Sequence, residues 1–160
     1  MREDDAAVDA LLKIFLAYYI EHIDERSRPY PGIPDLLAEL RTAGVQLGVA
    51  SNKFQAGAEK LIARMFPDIS FAAVLGGRPG APLKPDPAIV DEIRSRAGVS
   101  REETLMVGDS GADIAAAGAG GVDCVAVSWG FRSREALAAA PRIVDSAEEL
   151  RALLFTNNED

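Results

Sequence analysis

Short apolar runs alternate with helix-length segments along most of the chain, and this alternation limits the fold more than any other feature. Val45 to Ala50, Phe71 to Leu75, Thr104 to Val107, Asp123 to Val127 and Arg142 to Val144 read as strands. Between them lie helical stretches. One runs from about Gln55 to Phe66 and stops before Pro67, and another runs from Ala88 to Ala97 before Gly98. A small-residue helix covers Ala112 to Ala119 and ends at Gly120-Gly121, and Ser133 caps a short helix reaching Ala139. Strands joined by crossover helices pair in parallel, and right-handed crossovers place helices on both faces of the sheet. The expected class is therefore α/β, with a parallel sheet.

The flanking segments follow the same logic. Residues 4–24 read as a helix, with Val8, Leu11, Leu12, Phe15, Leu16, Tyr19 and Ile23 at helical spacing on one broad face. Such a face needs a partner helix or sheet. Pro29, Pro31 and Gly32 break the pattern and mark a linker from Arg26 to Gly32. Pro34 to Ala43 follows as a helix with Pro in its first turn and Gly44 past its end. Ser100 with Glu103, and Ser146 with Glu149, have capping-box spacing; the second pair opens a helix to about Phe155. Thr156 to Asp160 reads as a polar, frayed tail.

Composition excludes several roles. At 160 residues the chain suffices for one domain with a sizeable core, and its 48% hydrophobic and 26% charged residues suit a globular protein. A formal charge of −8 argues against a nucleic-acid groove or an anionic membrane surface. It leaves room for an anionic substrate, because a local Lys and a metal ion invert the field inside a pocket. The single cysteine, Cys124, lies in an apolar run and reads as a buried structural thiol. No signal-peptide pattern or membrane-length apolar stretch is present, so the expected location is cytoplasmic.

Chemistry concentrates where strands end. Leu105-Met106-Val107-Gly108 leads into Asp109-Ser110-Gly111-Ala112-Asp113, which puts one carboxylate at a strand tip and a second one helical turn on. Two such oxygen donors suit a hard cation such as Mg²⁺; an Asp N-cap followed by a solvent-facing Asp explains the pattern equally well. In a parallel sheet all strand C-termini share one edge, where open α/β sheets bind ligands. Ser51, Lys84 and Asp109 each follow a strand, so the topology brings them to one mouth. There a hydroxyl and nearby amides hold phosphate oxygens, a Lys neutralises charge, and a carboxylate holds Mg²⁺.

The three stretches Gly48-Val49-Ala50-Ser51-Asn52-Lys53, Leu83-Lys84-Pro85-Asp86-Pro87 and Met106 to Asp113 resemble three of the four motifs of the haloacid dehalogenase-like (HAD) hydrolases. The linker Ser27 to Gly32 and the loop Ser128-Trp129-Gly130-Phe131 are similar to the phosphoglycolate phosphatase branch. The resemblance runs from about residue 14 to 154. It implies a Rossmann-like three-layer sandwich, with residues 1–28 as the remnant of a helical cap, 29–155 as the core domain and 156–160 as a tail. It further implies Lys84 and Ser51 as catalytic groups and Ser51, Asn52 and Lys84 as substrate binders. Asp109 becomes a Mg²⁺ ligand and Asp113 an outer or orienting carboxylate. The implied activity is Mg²⁺-dependent hydrolysis of a small phosphomonoester, 2-phosphoglycolate first.

One departure shapes the expectation. The family's first motif, Asp-x-Asp-Gly-Thr after a strand, supplies the nucleophile and the general acid/base; the 160 residues contain no such motif, and Asp4-Asp5 follows no strand. The strand it would follow is the family's central one, between those ending at Ser51 and Asp109. Those two strands must then pair directly or leave backbone groups unpaired. Three accounts follow: a truncated phosphatase with weakly held Mg²⁺, a fragment that dimerises or takes a complementing segment through the exposed first helix, or a non-catalytic binder of phosphorylated ligands. A phospho-acceptor receiver domain fits less well, since there the acidic pair precedes the hydroxyl and the Lys. Of the remaining candidates, His22 reads as a helix-end partner and Trp129 and Phe131 as core or rim residues. Lys53, Arg132 and Arg134 read as solvated charges or anion attractors.

Overall fold

The computed structural model describes residues 3–156 except Asp24. Of the tail expected to fray from Thr156, Thr156 itself is helical and donates its hydroxyl to Ala152 O, and residues 157–160 lie outside the described residues, as do residues 1 and 2. In chain order the elements are α1 (Glu3–His22), α2 (Ile33–Thr42), β1 (Gly48–Phe54), α3 (Gln55–Met65), β2 (Ala73–Gly77) and α4 (Ala88–Ala97). Then come β3 (Leu105–Gly108), α5 (Gly111–Gly120), β4 (Asp123–Val127), a 3₁₀ turn (Arg134–Leu137), β5 (Ile143–Val144) and α6 (Ala147–Thr156).

Every strand pairing is parallel, as the alternation predicts, and the layering is that of a Rossmann-like three-layer sandwich. The backbone ladder, however, falls into two groups, β1–β2 and β3–β4–β5. Among the described residues β1 and β3 do not pair. What joins the groups is side-chain packing on one face. Ala73 and Leu75 of β2, Ile89 and Val90 of α4, Ala116 and Ala117 of α5 and Cys124 of β4 form one buried cluster. Ala50 and Met106 pack on it from the two facing strands. The small side chains of α5 let that helix approach the sheet closely. A second cluster covers the opposite face of β4 and β5, where Val125, Val127 and Val144 meet Leu36 of α2 and Leu150 of α6. Side chains alternate along a strand, so Leu105 and Val107 lie on the opposite face from Met106. They remain 38% and 41% exposed beside the unjoined edge.

Several local expectations shift. β1 continues through Ser51, Asn52, Lys53 and Phe54 instead of ending at Ala50. Its register runs Ala50↔Leu75 and then Phe54↔Gly77, so three residues of β1 stand against Gly76 alone. Such a bulge turns side chains out of the ladder. The Gln55 side chain replaces the lost ladder bonds, donating to Val74 O at 2.8 Å and accepting from Gly76 N at 2.6 Å. Ser133 gives no side-chain cap, and the segment it precedes is a 3₁₀ turn. Ser146 accepts from Glu149 N at 3.1 Å, but Glu149 returns its bond to Asp145 N, not to Ser146. The Ser100–Glu103 box is reciprocal, at 2.8 and 3.3 Å.

α1 departs from the expected one-sided face. Ile23, just past its end, is buried and Tyr19 packs near Phe54, but Val8, Leu11, Leu12, Ile14, Phe15 and Tyr18 are all exposed. The apolar residues go round the helix, and within the described structure only its C-terminal end has partners. Lys60 Nζ binds the carbonyls of Ile20 and Glu21 there, and Lys53 Nζ donates to Tyr19 Oη at 2.7 Å.

Arg78, just past β2, ties that strand to α4 by two parallel bonds to Glu92, at 3.0 and 2.6 Å. Hydrogen bonding from Arg78, against some desolvation, holds the Glu92 carboxyl down to about 2 from its ordinary 4.5; Arg96 adds to the effect. A carboxyl depressed in the folded state stabilises above its unfolded value and loses that contribution as pH falls through the folded one. The stability difference between the native chain and Glu92→Gln should therefore be present at about pH 6, shrink below about pH 4.5 and vanish near pH 2. Denaturant titrations across that range check it. Both side chains are about one-third exposed, so added salt should reduce the difference.

Candidate active site

The site grows from the C-terminal ends of β1 and β3. β3 stops at Gly108, Asp109 follows, and Ser110 caps α5. The cap is a reciprocal box. Asp113 N donates to Ser110 Oγ, and Asp113 Oδ2 accepts from Ser110 N at 3.0 Å and from Ser110 Oγ at 2.6 Å. The N-cap is thus Ser110 and not Asp109. Asp113, far from facing solvent, is 5% exposed. Gly108 makes this burial feasible, because a β-carbon there would overlap Asp113 Cβ and Cγ.

Asp113 Oδ1 receives a 2.7 Å bond from Lys84 Nζ, an ion pair with both side chains at 10% exposure or less. Lys84 Nζ also donates to Ala50 O at 2.6 Å. This ammonium therefore bridges the two strand groups, touching Ala50 within β1 and Asp113 in the first turn of α5. Its backbone is held independently. Asn52 Nδ2 donates to Lys84 O and Asn52 Oδ1 accepts from Lys84 N, each at 2.8 Å. Ser51 lies between Ala50 and Asn52, and its Oγ accepts from Lys53 N at 3.1 Å.

An ammonium has three donors. Two are committed, to Ala50 and Asp113, which leaves one for a ligand oxygen. The Ser51 hydroxyl accepts from Lys53 and keeps its own proton to donate. Asn52 is differently employed: both ends of its amide serve the Lys84 backbone. The order of strands predicts that Ser51, Lys84 and Asp109 converge, and the family resemblance adds Asn52 and Asp113; neither reveals that Asn52 binds Lys84 or that Ser110 binds Asp113. The Ser-x-x-Asp spacing at 110–113 carried the second signal, as a capping box.

Asp109 stands apart from this chain of bonds. Its Oδ2 accepts from Phe131 N at 3.0 Å, and among the described residues its Oδ1 takes no hydrogen bond. Both oxygens of Asp113 are occupied, so the two carboxylates do not act as a pair toward a cation. Among the described residues no three His, Cys, Asp or Glu side chains converge on one point. A divalent cation of the Mg²⁺ type takes about six oxygen ligands. The described donors do not by themselves fit such an ion, and Asp109 offers a single free oxygen.

Cys124 is buried in the first cluster, where burial, and then the nearby Asp113 charge, pushes its thiol up from the ordinary value. It is packing, not a nucleophile. His22 Nδ1 donates to Tyr18 O at 2.8 Å and the ring stacks on Tyr18, away from Lys84 in its bonds. Trp129 packs against the second cluster, while Phe131 is 93% exposed. Arg134 pairs with Asp145. Among the described residues no helix is long and apolar enough to cross a membrane.

The family profile of haloacid dehalogenase-like hydrolases matches residues 2–127. A phosphoglycolate phosphatase of Mesorhizobium japonicum is 39% identical over 143 residues, covering 89% of this chain and 63% of its own length. The crystal structure of a Lactobacillus delbrueckii subsp. bulgaricus protein assigned as a phosphoglycolate phosphatase superposes with a TM-score of 0.83 at 38% identity, covering 93% of this chain and 63% of that one. CbbY of Rhodobacter sphaeroides, crystallised with phosphate, gives a TM-score of 0.72 at 31% identity over 82% of this chain and 60% of that one. The chain thus spans less than two-thirds of the length of these relatives.

Proposed function

Since the chain belongs to the haloacid dehalogenase-like hydrolases, in their phosphoglycolate phosphatase-like branch, we propose that its sheet mouth is the phosphoryl-binding part of a phosphatase site for a small phosphomonoester. The observation that carries this is the buried Lys84–Asp113 pair, set against Ala50 O beside Ser51 with one ammonium donor uncommitted. Lys84 supplies fixed positive charge to the phosphoryl oxygens, and Ser51 donates its hydroxyl proton to one of them. Both groups are oriented before the ligand arrives, so little reorganisation opposes binding. Asn52 holds the Lys84 backbone, Asp113 holds its side chain, and Asp109 presents one carboxylate oxygen. Mg²⁺ is the cation to test, but no step is assigned to it, because the described donors do not complete its shell. The named relatives make 2-phosphoglycolate the first substrate to try; the proposed location is the cytoplasm.

Among the described residues none of the groups gathered here is an activated nucleophile: Lys84 is paired, Ser51 has no base among its hydrogen-bond partners, and Cys124 is buried. The 160-residue chain is therefore expected to bind 2-phosphoglycolate or inorganic phosphate without turning over p-nitrophenyl phosphate. A charged hydrogen bond contributes about 1.5–3 kcal/mol, so Ser51→Ala should weaken binding by less, and Lys84→Ala by about 10- to 150-fold. Calorimetric titration with inorganic phosphate measures both. Unchanged affinity in Lys84→Ala would sink the reading; so would Mg²⁺-dependent turnover that Asp109→Asn abolishes, since that would place a complete catalytic set within this chain.

A second reading has its own observation. β1 and β3 face each other unjoined, with Leu105 and Val107 exposed at the gap. An extended segment seated there would gain backbone bonds on both edges and cover both side chains. On this reading the chain works with a complementing segment, and the exposed residues of α1 are covered by that same partner or by a second copy. The cap-and-core division at residue 28 belongs to the same proposal.

A further inference from the structure

We propose that the loop after β4 sets the position of Asp109, with Gly130 and the Phe131 amide as its positioning residues. This rests on the reading of Asp109 as part of the phosphate site. β3 ends at Gly108, opposite Ala126 and one residue short of the end of β4, so the residues that leave the two strands meet. The Phe131 N–H donates to Asp109 Oδ2 at 3.0 Å. The Phe131 ring, 93% exposed, adds no packing of its own, so the amide is this residue's contact with the site. Two residues earlier, the half-buried Trp129 packs against the second cluster and anchors the loop.

Gly130 is the steric half of the arrangement. A β-carbon there would overlap Oδ2, Cβ and Cγ of Asp109, and these are its three nearest atoms. Gly130 does not adopt a positive φ, so alanine would meet no backbone strain at this position. Asp109 is by itself enough to exclude a side chain here. The loop thus closes one side of the carboxylate and fixes Oδ2, and Oδ1 is left as the oxygen that faces a ligand. Since Trp129 ties the loop to the second cluster, the placement of Asp109 depends on packing shared by β4, β5, α2 and α6.

A double-mutant cycle with an amide readout tests this. Gly130→Ala should lower Tm by about 5 °C, the cost of forcing a methyl group into an occupied position. In an Asp109→Ala background the same change should cost less than about one-third as much, because the obstructing carboxylate is gone. The Phe131 amide supplies a signature that general destabilisation does not move. Its proton resonance should lie downfield and be protected from exchange in the native chain, and lose both features in Gly130→Ala and in Asp109→Ala. The amides of the Ser100–Glu103 turn should keep theirs. Equal Tm losses for Gly130→Ala in the two backgrounds, or a Phe131 amide indifferent to Asp109→Ala, would overturn the proposal. Phosphate titration of the native chain separates the two claims. A chain that binds no phosphate but shows the coupling would refute the functional reading and leave the positioning of Asp109 standing.

Discussion

Lys84→Ala is expected to weaken phosphate binding by about 10- to 150-fold and to destabilise the fold by about 3 kcal/mol, at the lower end of the range for breaking a buried ion pair. The physical reason is Asp113. It is 7% exposed in its side chain, and without Lys84 it becomes a buried carboxylate with no counter-charge. The two hydrogen bonds from Ser110 survive, which is why the loss stays at the lower end. For a chain of this size the change corresponds to a Tm lower by about 6–12 °C. Binding and stability can be separated. Lys84→Met combined with Asp113→Asn removes both charges and replaces the pair with a neutral one. Stability should then recover most of the loss, since buried pairs replaced together are often neutral, but phosphate binding should not return. Denaturant titration and phosphate calorimetry on the three proteins decide the matter. A single variant within about 1 kcal/mol of the native chain would show that the pair is less buried in solution than its geometry requires.

Asp113→Ala should cost at least as much, about 3–4 kcal/mol, by a different route. It strips α5 of its capping box, worth about 1 kcal/mol, and strands the ammonium of Lys84, itself 10% exposed, on Ala50 O alone. The loss should be local as well as global. Hydrogen exchange at Asp113 and Ile114, whose amides bond to Ser110, should accelerate beyond what the lower global stability explains. Asp113→Asn keeps an acceptor for Ser110 but not the charge, and should fall between the native chain and Asp113→Ala. If Asp113→Asn matches the native chain, the charge is not needed to hold Lys84, and Asp113 serves the helix cap alone.

Both predictions depend on positions that the sequence marked and on contacts that it did not. The strand Asp123–Val127 and the helix Ala88–Ala97 were legible to the residue, because their apolar patterns are bounded by Gly, Pro and polar residues. β1 was misjudged at its end. A run of polar residues reads as a loop, yet Ser51 to Lys53 belong to a bulged strand whose missing bonds a glutamine side chain supplies. The two carboxylates of the Asp109 turn read as partners in sequence, being four residues apart. In the fold they separate, because Lys84 and Ser110 claim both oxygens of one and the Phe131 amide claims an oxygen of the other.

The sequence by itself determined the class of fold and the parallel direction of the strands. Those follow from local periodicity and from the handedness of crossovers, which need no knowledge of distant contacts. Tertiary structure alone decided that the ladder divides between β1 and β3, that Asn52 grips the backbone of Lys84 across 32 positions, and that Gly130 gives Asp109 its space. Each of these is a meeting of residues far apart in the chain. Its energy depends on burial and on angstrom-scale fit, and neither is encoded in the spacing of residue types.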